Sequence, residues 1–573
     1  MEDQTVLILG GGINGAAIAR ELAINGVSVC LVDSADLASG TTAASSRLIH
    51  GGLRYLEYAE FALVKESLEE RERLLRLAPH LVKPIRLGIP VSTRLSGLRQ
   101  TVGKLIGGSG TKPVARGLYL VKTGLKLYDW YARDRSLPSH RIQSSDTFSE
   151  TGLDTRVYRW VCTYSDAQLM YPERLVLANL LDGQTAAAAN NVSFDVFTYH
   201  TAVRHDDHVE VVSELGETTK RFQPALIVNA TGAWVDETLK KLKIPSDRLM
   251  GGTKGTHFIT FQPALVRAVE DGGFYVEAGD GRPVFFLKFG EGVLVGTTDL
   301  RVEESPQDVL ATEPELEYLV DAAQRMFPTL DFKREDIAMY YCGVRPLPHV
   351  PAGSTASITR RHFIRRHSYD GPPTMSVVGG KLTTARALGE EAAAVILNEL
   401  GRQVVATSGD RPLLVGNYLD DSDHEVDSSA GSSMERFEAE SGFNSAEVSA
   451  MWSLVGSSLS SYLGGPGNDS GNTDTGSAEA EKKLHKSKLL DGTPLSYEFI
   501  KGVIRREWVT KLDDLVERRL MLLYHPCLRR ETIVQLSHLL VECGALHEGQ
   551  VEDSVERCVE RMRTRYGRRL DGS

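Results

Sequence analysis

The opening residues constrain the fold of this chain more tightly than any other stretch. An apolar run, Val6-Leu7-Ile8-Leu9, feeds Gly10-Gly11-Gly12-Ile13-Asn14-Gly15, and a second run, Val29-Cys30-Leu31-Val32, closes on Asp33. Between them Ala16 to Asn25 reads as a helix. Strand, glycine turn, helix, strand and acid in that order predict a dinucleotide-binding βαβ unit. Gly10, Gly12 and Gly15 allow a tight turn and close backbone approach, and the helix start aims N–H groups at a diphosphate. Asp33 falls at about the 20-residue offset where an acidic side chain meets an adenosine ribose 2′-OH. A carboxylate there disfavours a 2′-phosphate, so the expected ligand is FAD or NAD rather than NADP.

The chain has 573 residues, 42% hydrophobic and 25% charged, an ordinary globular balance that predicts about two to four domains. Its six cysteines are scattered with no Cys-x-x-Cys pair. That argues against a disulfide framework or a metal site and predicts a reducing cytosol. No basic leader precedes the short first apolar run, and no stretch approaches the ~20 apolar residues of a membrane span. The expectation is a cytoplasmic protein, soluble or lying on the inner face of the cytoplasmic membrane.

Charge distribution says more than the net −11. Residues 73–128 hold eleven Lys or Arg and no acid, interleaved with apolar residues such as Leu98, Val102, Leu105 and Leu120. Basic plus apolar is the pattern of a segment that lies on anionic lipid, and a solvated basic face is the plainer alternative. No nucleic-acid motif accompanies it. Residues 417–483 hold thirteen acids against three bases and include polar low-complexity runs at 417–434 and 464–480. Phe61 to Leu77, Tyr171 to Ala189, Pro314 to Phe327 and Thr384 to Leu400 read as helices. Strand-like runs occupy Val192 to Val212 and Thr256 to Thr298, and Leu226 to Asp236 reads as a strand ending in a small-residue turn. Beyond Ser496, order returns with apolar residues at helical spacing from Phe499 to Leu523, then from Glu531 to Cys543 and from Val551 to Arg563. The expected architecture is an α/β body with a C-terminal helical cap.

Three further segments carry site-type residues. Ser45-Ser46-Arg47-Leu48-Ile49-His50-Gly51-Gly52-Leu53-Arg54-Tyr55 mixes hydroxyls, a His, paired glycines and an Arg-Tyr pair. Tyr340-Tyr341-Cys342-Gly343-Val344-Arg345-Pro346-Leu347 places an Arg among apolar residues. Val377-Val378-Gly379-Gly380-Lys381-Leu382-Thr383-Thr384-Ala385-Arg386 runs from a strand through a diglycine into a helix, a second anion or dipole site. Singly, each suits a purely structural role as well.

In this order they resemble the FAD-dependent glycerol-3-phosphate dehydrogenases, members of the wider glutathione-reductase/D-amino-acid-oxidase flavoprotein class. Leu9 to Gly15, Ser45 to Glu57, Gly124 to Asp129, Tyr164 to Leu169, Val228 to Asp236, Lys254 to His257, Gly296 to Asp299, Tyr341 to Leu347 and Gly379 to Arg386 carry the match. A weaker match covers Glu507, Asp514, Leu515, Arg518 and Arg519. Departures are Asp33 where the family usually has Glu, Arg47 for Lys, and Cys342 for a smaller residue.

The resemblance implies a Rossmann-like FAD-binding body over 1–400, with an interleaved α+β substrate region near 80–160 and 240–345. A linker with acidic insertions over 401–485 and a helical domain over 486–573 would follow. It implies FAD as cofactor, contacted by Gly10, Gly12, Gly15, Asp33, Thr41, Ser45, Ser46, Thr231, Gly232, Gly380 and Lys381. The implied reaction oxidises sn-glycerol 3-phosphate, with electrons passed to a quinone. Arg54 and Arg345 would hold the substrate phosphate, since Arg offers a planar fork, with Tyr55 adding a hydroxyl. Lys381 would stabilise charge on the reduced ring or hold substrate. His257 or His50 would take the hydroxyl proton; His257 is slightly favoured because His50 could serve the flavin instead. Competing readings are an oxygen-using oxidase of the same substrate, an amine or amino-acid oxidase, an NAD-dependent dehydrogenase and a non-catalytic FAD sensor. The sequence leaves the oligomeric state open, a homodimer included.

Overall fold

The computed structural model describes residues 4–53, 60–94, 117–132, 137–216, 219–350, 358–413, 430–463 and 488–570. Arg54, Tyr55 and residues 95–116 of the basic stretch lie outside them, as do most of both low-complexity runs.

The first strand, Val6–Leu9, pairs in parallel with Val29–Asp33 on one side and Leu226–Asn229 on the other. These apolar strands are buried on both faces, which suits a parallel sheet covered by helices. Phe194–Thr198 and Thr374–Val378 extend the sheet in parallel, and Phe363–His367 closes one edge antiparallel, giving six strands. Helix Ile13–Ile24 packs between Pro172–Ala189 and Ala385–Glu399. Close approach there depends on a small residue, since a Cβ at Gly389 would lie 3.0 Å from that of Ala17.

Val192 to Val212 divides between two sheets. Tyr199, at φ 58°, turns the chain from the parallel sheet into a three-stranded antiparallel one of His200–Arg204, Val209–Ser213 and Thr219–Phe222. A larger mixed sheet takes strands from Val82–Val91, Trp160–Leu169, Thr253–Thr260, Gly273–Glu277, Pro283–Phe289, Gly292–Gly296 and Met339–Arg345. Both parts of the chain expected to form the substrate region therefore contribute to one sheet.

The C-terminal region differs from its sequence reading in two ways. The apolar periodicity from Phe499 to Leu523 is not one helix. Helix Tyr497–Arg506 stops before Trp508 (φ 50°), a short turn and the π-helical Leu515–Arg519 follow, and Met521 (φ 57°) reverses the chain again. All these pieces bury apolar faces, so the spacing records burial and is blind to the breaks. Helices Ala430–Ser441 and Ser445–Val455 also form within the stretch expected as a linker. Phe437, Phe443, Val448 and Met451 join the same core as Phe499 and Val503, which the surrounding serines and acids obscure. Among the described residues no helix is long and apolar enough to cross a membrane.

Candidate active site

The Gly10 turn is shaped by steric exclusion. Gly10 has φ 106°, and a Cβ on Gly15 would fall 1.9 Å from the Gly10 carbonyl oxygen. Asp33 caps this turn: its carboxylate accepts from the Gly11 N–H at 2.7 Å and from the Ala35 N–H at 2.8 Å. Burial pushes its pKa up to about 6, against the pull of those two N–H groups. A carboxylate has about four acceptor sites, so capacity remains for ribose hydroxyls.

The turn floors a cavity of about 440 Å³, within the usual range for a small-molecule site. Gly10, Gly12, Asp33, Thr41, Ser45, Thr231, Gly232, Gly380 and Lys381 all line it. Gly15 and Ser46 do not: Gly15 packs under the turn and Ser46 faces His257. The second diglycine reaches the cavity because Gly379 and Gly380 both have positive φ, 83° and 98°. Asn14 ties the two turns together, its amide donating to the Gly379 carbonyl at 3.4 Å. The sequence reading missed His200, Thr201, Ala202, Trp234, Lys241, Gln307, Arg561 and Arg565, which also line this cavity. Their signal is tertiary, since they come from the antiparallel sheet, a surface helix, a loop and the C-terminal helix.

Beside the cavity, strands Thr253–Thr260 and Met339–Arg345 pair antiparallel with His257 opposite Tyr341, Gly255 opposite Gly343 and Thr253 opposite Arg345. Alternation puts all six on one face. The glycines admit close neighbours: a Cβ on Gly255 would meet Arg345 Nη2 at 2.2 Å and one on Gly343 would meet Ala44 at 2.3 Å, so the Arg345 guanidinium lies over this face, which looks onto the loop that carries Ser45 and Ser46. Arg345 is oriented by Asp299 at 3.1 Å, the Thr297 and Thr253 hydroxyls at 3.0 and 3.3 Å, and the Thr298 and Lys254 carbonyls at 3.0 Å each. Its side chain is 24% exposed.

His257 stacks on Tyr341 with ring centroids 5.0 Å apart, and its Nε2 lies 2.8 Å from the Ser46 hydroxyl. Its Nδ1 is buried with no hydrogen-bond partner among the described residues. Burial, with Arg345 and Arg47 nearby, holds its pKa well below the ordinary value. His50 is half-buried, and its backbone N–H donates to the Thr383 hydroxyl at 3.3 Å. Burial lowers its pKa to about 4; Asp166 opposes this, and Lys381 and Arg360 add to it. Lys381 sits at the cavity wall with Nζ 3.4 Å from the Ser67 hydroxyl. Burial lowers its pKa to about 7, against the pull of Glu60 and Glu66.

Arg47 points the other way. Fully buried, it pairs with Glu173 at 2.8 and 3.0 Å, donates to the Tyr524 hydroxyl at 2.6 Å and lies over the Tyr524 and Phe289 rings. It braces the Ser45–His50 segment against the C-terminal region.

A glycine turn capped by an acid, a second diglycine helix mouth and one shared cavity define a dinucleotide-dependent oxidoreductase. The chain belongs to the FAD dependent oxidoreductase family, whose model matches residues 5–394, and within it to the glycerol-3-phosphate dehydrogenases. It is 38% identical over 418 residues to a glycerol-3-phosphate dehydrogenase of Synechocystis sp., covering 69% of this chain and 70% of that protein. It is 34% identical over 391 residues to D-erythritol 1-phosphate dehydrogenase of Brucella abortus, covering 67% and 72%. The solved glycerol-3-phosphate dehydrogenase of Bacillus halodurans, complexed with FAD, shares the fold at a TM-score of 0.68 and 19% identity, over 97% of this chain and 94% of that one. The cofactor is FAD, and the cradle of Gly10, Gly12 and Asp33 fits its diphosphate and ribose.

Proposed function

We propose that the protein oxidises sn-glycerol 3-phosphate to dihydroxyacetone phosphate. The observation that carries this reading is Arg345, oriented by five neighbours on the face beside Ser45 and Ser46. A fixed cation there suits a phosphate. FAD, when bound, supplies the hydride acceptor for C2 of the substrate. Arg345 holds the phosphate; Arg54 and Tyr55, outside the described residues, complete that seat in this reading. His50 takes the C2 hydroxyl proton, because it is half-buried next to Lys381, whereas His257 is 2% exposed with Nε2 engaged by Ser46. His257 and Ser46 then position the loop. Lys381, as a cation, favours negative charge at the ring end of the cavity.

These two roles set a pH profile. Lysine is charged below its pKa, so kcat/KM falls as pH rises through about 7. Lys381→Arg keeps its charge at all working pH and should move that alkaline limb upward by more than one pH unit. His50→Gln should lower kcat by about 100-fold or more with flavin content retained. An unmoved limb, or an unimpaired His50 variant, would remove the respective role.

A substrate panel with a dye acceptor tests the reading as a whole. Glycerol 3-phosphate should be turned over, while glycerol and amino acids should not. The panel includes D-erythritol 1-phosphate, because the Brucella relative carries that name. A higher kcat/KM for the four-carbon compound would replace the three-carbon assignment.

In this reading electrons pass to a membrane quinone from the cytoplasmic face. Helix Leu118–Ala132 supports it: Tyr119, Leu127 and Trp130 are exposed beside Lys126, with Trp130 69% exposed. An aromatic and basic helix face suits a lipid headgroup layer. Trp130→Glu with Leu127→Glu should abolish flotation with anionic vesicles; undiminished flotation would contradict the membrane assignment. The same reading keeps 1–400 as the FAD-binding body and the helical C-terminus as a cap.

A further inference from the structure

The C-terminal helix Val551–Tyr566 lies outside the residues that the family model matches, yet two of its side chains line the cofactor cavity. Arg561 and Arg565, one turn apart, share a helix face. Arg561 is already paired: Glu517 accepts from it at 2.6 and 3.1 Å. Arg565 makes no hydrogen bond or ion pair among the described residues, whereas Arg563, which points elsewhere, pairs with Glu560 at 2.6 Å. Arg565 also lines the adjoining cleft formed with Ser39, Gly40 and Thr41, the segment that follows Asp33.

The helix is fixed in this position. Asp36, three residues beyond the ribose-site acid, accepts from Arg518 at 2.5 Å and from Arg519 at 2.7 and 2.8 Å. Glu517 receives Arg518, Arg561 and the Tyr566 hydroxyl. A bonded chain thus runs from the cofactor loop through the π-helical turn to the cavity-facing helix. Arg565 is then an uncommitted guanidinium beside a site for a dianionic diphosphate, and burying a dianion requires fixed cations.

We infer that Arg565 is a cofactor-binding residue contributed by the C-terminal region, serving the diphosphate-adenosine half of FAD. The alternative is that Arg565 only complements the helix dipole from the last turn.

Equilibrium dialysis of the full chain, stripped of flavin, separates the two. Arg565→Gln should raise the FAD dissociation constant about tenfold and weaken ADP competition similarly. FMN, which lacks the adenosine half, should bind within about twofold of wild type. Arg565→Lys should recover part of the loss, and Arg563→Gln should lose nothing. Unchanged FAD affinity in Arg565→Gln, or an equal loss for FMN, overturns the inference. A lower melting temperature of the stripped chain with unchanged FAD affinity assigns the residue to the helix dipole instead. If the Gln variant does not fold, Arg565→Lys must still bind FAD measurably more weakly than wild type, and parity there also overturns it.

Discussion

Arg345→Met should lower kcat/KM for glycerol 3-phosphate by about 100- to 1,000-fold, equivalent to about 3–4 kcal/mol of lost transition-state binding. Loss of the fixed positive charge beside the phosphate accounts for most of that figure. The phosphate is remote from C2, so part of the loss is uniform binding and appears in KM. Misplacement of the carbinol removes the rest from kcat. Arg345→Lys should recover part of the charge but not the fork, because Asp299, Thr297 and Thr298 orient a planar group. Flavin content should not change, since Arg345 does not line the cofactor cavity. Steady-state kinetics on flavin-loaded variants checks this, and wild-type kcat/KM in Arg345→Met would withdraw the phosphate assignment.

The second large effect is on stability. Asp36 is 1% exposed and faces Arg518 and Arg519, themselves buried. Burial opposes its charge, but the two guanidinium groups hold its carboxyl below the ordinary carboxylate range. Asp36→Ala strands the buried Arg519 cation, while Arg518 keeps Glu517 and Asp514, and should destabilise the protein by about 3–5 kcal/mol, read as a lower urea midpoint. The sign with pH follows. A carboxyl with a lowered folded pKa contributes its stability above its unfolded pKa and loses it as pH falls through the folded value. Wild type should therefore lose part of its margin only in strong acid, whereas the variant should lack that part at neutral pH. An unshifted urea midpoint at pH 7 would show that the C-terminal region is not held through Asp36.

These two residues mark what the sequence makes legible. Asp33 is readable because its partners are local: the strand, the turn and the Gly11 N–H all lie within one βαβ unit. Asp36 is not, because Arg518 lies 482 positions away and nothing in the linear pattern joins them. The family resemblance marked Arg518 and Arg519 without indicating their partner. The same holds at the cavity, whose glycine and hydroxyl lining was visible in strand-turn-helix segments. Arg565 sits in an ordinary amphipathic helix and becomes a candidate only through tertiary packing. The choice between His50 and His257 was open in the sequence, with His257 slightly favoured, since both lie in segments that the resemblance marks. The deeper burial of His257 and its Ser46 contact support the proposal of His50 over it. Apolar spacing after Ser496 reported which side chains are buried but could not report the left-handed residues Trp508 and Met521 that break the backbone path.

The most direct test of the central claim is optical. The flavin-loaded protein is mixed with glycerol 3-phosphate in the absence of oxygen and any acceptor, and its yellow absorbance is followed. The account predicts rapid bleaching by glycerol 3-phosphate and none by glycerol. Colour that persists with glycerol 3-phosphate in fully loaded protein would contradict it.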